Sequence, residues 1–250
     1  MATFPMTEPE IEVIEVPREM MTVECRDARS FFVLLEDGAS CDFAFYDYPE
    51  RALTGVTKMK VEGRIIVNGK ECFEISACDW EPNEGENPPN HWYLSLEGNQ
   101  LHWVRFVWRK KDGVGRSEEI DATPLPITLF VGLKTEGHEI YVCGDEKRGD
   151  FVTRTEVTGV AEVRIGEKHF KCLREVWTSF ERDGSPLKLA ELFISEQGRT
   201  VLFRRYNGRG SRNYEQLEGN PELNFNGEVY ACGMIAFPTT QLSDLDARQT

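Results

Sequence analysis

Few residues in this chain are of the types and spacing that perform chemistry. The four histidines, His91, His102, His138 and His169, form no HxH or HExxH pattern. The seven cysteines (Cys25, Cys41, Cys72, Cys78, Cys143, Cys172 and Cys232) form no CxxC pair. No metal and no cofactor is expected. Ser95 and Ser195 lie in strand-like sequence without a GxSxG elbow, and Gly208-Arg-Gly-Ser-Arg212 lacks both a Walker lysine and dinucleotide spacing. With 43 acidic residues some carboxylates must lie close together in any fold, so their number says nothing about catalysis. No catalytic residue is identifiable.

Aromatic residues beside loops are what remain. Trp80, His91, Trp92 and Tyr93 flank the Pro-rich segment 81–90, Trp177 precedes its shorter counterpart at 181–186, and His102 follows on the next strand. Aromatic side chains combine a large contact area with a polar handle, so these six are the expected lining of a ligand pocket. The competing expectation is that Trp80 and Trp177 are matched core plugs. Cys143 and Cys232 each sit in a Tyr-x-Cys-Gly segment, where packing explains them better than reactivity.

The elements that must position these residues read as strands. Leu94 to Phe106 is apolar on alternate positions across a Gly98-Asn99 turn, so Leu96 faces Leu101, Leu94 faces Trp103, and Ser95 and His102 share a wet outer side. A Gln197-Gly198 turn likewise sets Ile194 against Val201, Leu192 against Phe203, and Glu191 against Arg204 as an ion pair. Asn68-Gly69 suits a type I′ hairpin, and Phe31–Leu35 is expected to turn at Asp37-Gly38 into Cys41–Tyr46. Helical pattern is scarce, limited to a turn near Pro49–Leu53 and another near Leu242–Arg248.

Three blocks recur in order. Val67–Phe73 matches Arg164–Phe170, superposing Trp80 on Trp177 and Cys72 on His169; Leu94–Phe106 matches Ile194–Tyr206; His138–Gly144 matches Gly227–Gly233. The expected fold is all-β: antiparallel sheets from two tandem diverged repeats, barrel-like or sandwich-like with pseudo-two-fold symmetry. The expected segments are amino-terminal strands (1–51), repeat one (52–146), repeat two (147–236) and a carboxy-terminal tail (237–250). Two half-sheets sharing one interior are preferred to two separate domains, because each would otherwise leave an apolar face uncovered.

A net charge of −14 opposes nucleic acid and anionic membrane surfaces. The amino terminus lacks a signal-like apolar run, no stretch is long enough to span a bilayer, and an odd number of cysteines suits a reducing compartment. The expected location is the cytoplasm. The function these readings favour is a non-catalytic binding or interaction module for a small apolar molecule or a protein partner. Its rivals are a lyase, isomerase or hydrolase using carboxylates, His91 or His102 in a β cavity, and a structural subunit of an assembly.

Overall fold

A computed structural model describes residues 6–27, 32–47, 51–81, 85–109, 115–143, 146–181, 186–207 and 229–236, and no helix occurs among them. The strands are β1 (Ile11–Val16), β2 (Thr22–Glu24), β3 (Ser40–Asp47), β4 (Ala52–Val67), β5 (Lys70–Glu81) and β6 (Gly85–Glu86). They continue as β7 (Asn90–Glu97), β8 (Gln100–Arg109), β9 (Gly115–Ala122), β10 (Leu125–Pro126), β11 (Thr128–Phe130) and β12 (Lys134–Cys143). The last are β13 (Glu146–Ile165), β14 (Lys168–Glu181), β15 (Pro186–Ser195), β16 (Thr200–Asn207) and β17 (Val229–Ala236). Antiparallel pairing runs β13-β12-β9-β8-β7-β5-β4-β3-β17-β16-β15-β14 and returns to β13 through its hairpin with β14. The sheet therefore closes into a barrel, with β1 added as an outer strand on β13.

Strand alternation sorts the side chains. Met59 and Val61 of β4, Phe73, Ile75 and Ala77 of β5, Leu94 of β7, Leu173 and Trp177 of β14, and Leu192 and Ile194 of β15 meet in one interior core. Each such aliphatic residue, fully buried, contributes about 1.5–3 kcal/mol. Charged side chains occupy many outward positions, among them Lys60, Glu62, Glu136 and Arg154. One end of the interior is filled by the chain itself: Val23, Cys25, Phe32, Val33, Leu35, Ile127 and Leu129 join the core there, and β2 pairs with β11 across it. The hairpin turn at Gly98-Asn99 lies at this plug end, where Ile127 N donates to Asn99 O at 3.1 Å. The opposite end, where β5, β8, β12 and β14 finish, is the loop end.

Two hairpins are longer than the barrel wall and fold over its outside. β4 and β5 bend at a bulge between Val61 and Gly63. Beyond it Val67 and Cys72 pack on Val104 and Tyr93 of the adjacent strands, and Arg105 Nη2 donates to Asn68 Oδ1 at 3.2 Å. β13 and β14 bend at Val157 and Gly159 and cover Phe193 and Leu202 with Ala161, Val163 and Cys172; β1 extends their outer edge, from Ile11 opposite Ile165 to Val16 opposite Val160. These ribbons correct the expected wet face, since Ser95 and Ser195 are buried.

The expected pairs Leu96 with Leu101, Leu94 with Trp103 and Ser95 with His102 are observed, as are Leu192 with Phe203 and Glu191 with Arg204. Asn68 (φ 51°) and Gly69 (φ 77°) form the expected left-handed turn. Ile194 instead faces Thr200, because a bulge absorbs Val201. Phe32–Leu35 belongs to the plug and, among the described residues, pairs through a Leu34 bridge to Asp27, so the expected strand preceding Gly38 is corrected. Ala52 and Leu53 are strand, not helix; Pro49 and Leu242–Arg248 lie outside the described residues.

Glu191 also meets a cation on its other side: Arg174 Nε donates to Glu191 Oε1 at 2.8 Å, with the two side chains only 13% and 3% exposed. Arg174→Met should therefore destabilise by about 3 kcal/mol, because it removes one half of a buried pair, while Arg174→Met with Glu191→Met should recover most of that loss. Urea titration of the three proteins checks it; equal losses in the single and double variants would contradict it.

Candidate functional site

The structure does not gather the six expected pocket residues. Neighbours along a strand face opposite sides, which divides them. Trp92 points inward, stacked on Phe106 with centroids 3.6 Å apart and edge-on to Trp103 at 5.7 Å. Trp177 is also inward and packed in the core. Trp80 lies on the outer side against Ala44, Tyr46, Leu53 and Val56. His91 and Tyr93 are outward as well: His91 Nδ1 is 2.9 Å from Glu74 Oε1, and the Tyr93 hydroxyl donates to the same oxygen at 3.1 Å. His102 lies on that outer face with Nε2 3.6 Å from Glu97, and burial holds its imidazole below the ordinary histidine pKa.

A different constellation lines the interior toward the loop end. On β12 the Tyr141 hydroxyl donates to Glu139 Oε2 at 3.2 Å, and from β13 the Thr153 hydroxyl donates to Glu139 Oε1 at 2.9 Å. Thr153 Oγ1 is also 3.2 Å from Ser179 Oγ on β14, and below them Thr135 and Thr155 share a hydroxyl pair at 2.7 Å. Burial, then the charges of Glu139 and Glu118, raise the Tyr141 phenol well above its usual pKa, so it stays a neutral donor. On the other flank β8 contributes Phe106 and Trp108, with centroids 4.2 Å apart; Trp108 Nε1 donates to Glu118 Oε2 at 3.4 Å, with Glu118 6% exposed.

Sequence reasoning missed this wall because Thr135, Gly137, Glu139 and Tyr141 share the inward parity of β12 without an apolar signature. Gly137 is required there: a Cβ would sit 2.6 Å from Thr123 Cβ. A cavity of about 20 Å3, room for roughly one water molecule, is lined by Trp103, Ala122, Thr135, Glu139 and Thr153 among others. The wall supplies hydrogen-bond donors and acceptors; no group of three or more histidine, cysteine or acidic side chains able to hold a metal occurs among the described residues.

At the plug, Asp27 is 1% exposed, and its Oδ2 accepts from Thr200 N at 3.2 Å while Oδ1 has no hydrogen-bond partner among the described residues. Burial pushes its carboxyl up to about 7, opposed by the Thr200 amide and the Arg199 charge.

No family model matches the chain, and no curated protein matches it. Two solved structures are similar to it. One, from Bacteroides fragilis, is described as a "putative exported protein with YmcC-like fold": 8% identity, TM-score 0.46, 80% of this chain and 94% of the other covered. The second, from Parabacteroides distasonis, is described as a "putative lipoprotein", with 8% identity, TM-score 0.43 and the same coverage. Those descriptions run against the cytoplasmic expectation, which is withdrawn. Its physical premise was also weak: Cys25, Cys41, Cys72 and Cys172 are buried free thiols, and buried thiols persist whatever the surrounding redox poise.

Proposed function

We propose that this chain is a non-catalytic binding protein whose barrel receives a small polar ligand at its loop end. One observation carries the reading: a hydrogen-bonded wall of Tyr141, Glu139, Thr153 and Ser179, with Glu118, Thr135 and Thr155 beside it, stands inside a barrel whose interior core is built mainly of apolar side chains. Folding alone does not call for such groups, because buried polar networks stabilise less than well-packed apolar side chains of the same shape. The apolar half of the interior is occupied by the chain's own plug, which favours a polar occupant over an apolar one. Tyr141 and Thr153 already donate to Glu139, an arrangement suited to recognition and not to proton abstraction.

A thermal-shift screen of small solutes (sugars, amino acids, polyamines and choline) against wild type and Glu139→Gln tests the proposal. At least one class should raise the wild-type melting temperature by several degrees at millimolar concentration and the variant's by less than half as much, following the mass-action stabilisation of a ligand bound well above its Kd. Equal responses in both proteins, or none in wild type, would count against it.

A further inference from the structure

Beyond their bulges the two long hairpins leave the barrel wall as ribbons, and the two ribbons are finished differently. On β13 the outer edge from Val160 to Ile165 is covered by β1, which pairs with it residue for residue. On β4 the ladder with β3 ends at Ser40 opposite Lys60, and Val61 is held by Gly38 and Ala39. From Gly63 to Val67 that outer edge has no strand beside it among the described residues. Counted back from the two turns, Ile65 corresponds to Val163 and Ile66 to Arg164. Val163 lies opposite Val13 of β1 and is fully buried, whereas Ile65 is 44% and Ile66 66% exposed. An unpaired apolar strand edge is a template for another strand. We propose that its occupant is the same edge of a second copy of this chain, the two β4 strands running antiparallel across a two-fold axis.

The residues themselves select that occupant and its register. A two-fold axis through an antiparallel pair of strands sets one residue opposite its own copy. With Ile65 on the axis, Arg64 faces Ile66 of the second copy and Gly63 faces Val67 of the second copy, so every residue of the uncovered edge is paired. Centring on Arg64 would set like charges face to face, centring on Gly63 would need Val61, whose edge is already taken, and centring on Ile66 would run into the turn at Asn68. The Arg64 guanidinium is held by Asp37 at 3.3 Å and Glu71 at 3.2 Å, so its methylene stem is what lies across from the isoleucine. Successive residues point to opposite faces, so the joined ribbons cover Ile65 on one face and Ile66 on the other. The contact is short, and each copy carries a net charge of −14, so the dimer is weak and concentration-dependent.

Sedimentation equilibrium of the full chain from about 5 to 500 µM, in about 0.3 M NaCl to screen that charge, decides the point. Wild type should dimerise with a dissociation constant at or below about 100 µM, and Ile65→Lys, which sets two ammonium groups on the axis, should weaken it about tenfold or more. Met20→Lys, at an apolar side chain 74% exposed, should leave it within about twofold; both positions are exposed, so neither variant threatens the fold. Ile65→Cys should oxidise to a covalent dimer and Met20→Cys should not, because residue 65 stands opposite its own copy. A wild type that stays monomeric throughout would overturn the proposal, and so would a dimer that Ile65→Lys leaves intact. Should wild type be monomeric and yet bind a synthetic peptide of residues 9–18, the β1 sequence, with that binding lost in Ile65→Lys, the edge would take a foreign strand in place of a second copy.

Discussion

Gly198→Ala should destabilise the protein by at least about 3 kcal/mol, whereas Gly98→Ala, at the equivalent turn of the first hairpin pair, should cost only about 1–2 kcal/mol. Both glycines are left-handed, with φ of 75° and 61°. Their surroundings differ. A Cβ on Gly98 would meet nothing within 4 Å, but one on Gly198 would lie 2.1 Å from the Glu24 carbonyl oxygen, so the backbone of β2 would have to move. That strand belongs to the plug, and displacing it opens the apolar core from below. Urea denaturation of the two variants provides the comparison. Equal costs would mean that the seam between the β15–β16 turn and the plug carries no stability.

The wild type should lose stability as pH rises from about 4 to 7, and Asp27→Asn should remove that dependence. The carboxyl's ordinary value of 3.8 is pushed up to about 7 by burial in the folded protein. Over that interval the folded state holds a proton that the unfolded state has released, so stability falls as pH rises, then levels off above about 7. At about 1.4 kcal/mol per pKa unit, the residue should account for a loss on the order of 4 kcal/mol between pH 4 and 8. Asparagine keeps a carbonyl oxygen for the Thr200 amide and does not titrate, so the variant should gain on wild type as pH rises. The difference in unfolding free energy between the two proteins, followed from pH 4 to 8, isolates this group from the others. A constant difference would show that Asp27 keeps the same protonation state throughout.

The local pairings were legible because they depend on parity alone. Alternation around Gly98-Asn99 and Gln197-Gly198 fixes which residues face each other, and five of the expected pairs are observed. What alternation cannot reveal is a bulge. One extra residue reverses the parity of everything beyond it, and bulges at Val61/Gly63 and Val157/Gly159 turn both long hairpins over the outer wall and bury Ser95 and Ser195. The same sensitivity separates the matched tryptophans. The turns Asn68-Gly69 and Gly166-Glu167 sit one residue out of the sequence alignment, so Trp177 enters the core while Trp80 faces out.

The candidate site was the least legible part. The sequence reading sought aromatic residues near the 81–90 insertion and found Trp92, which does join the inner ladder, but His91 and Tyr93 are its strand neighbours and must point the other way. The hydroxyl and carboxylate wall comes from three strands joined only by tertiary pairing: Glu139, Thr153 and Ser179 are 14 and 26 residues apart. No spacing rule links them before the barrel is closed.

The most direct test of the binding account needs no ligand. Glu139→Met, Tyr141→Phe, Thr153→Val and Ser179→Ala, combined in one protein, replace the polar wall with apolar groups of similar volume and leave none of its members half-paired. If the wall is kept for a ligand at some expense in stability, the quadruple variant should be as stable as wild type or more so, by up to a few kcal/mol in urea denaturation. A loss of several kcal/mol would show that the wall holds the barrel together, and would contradict the account.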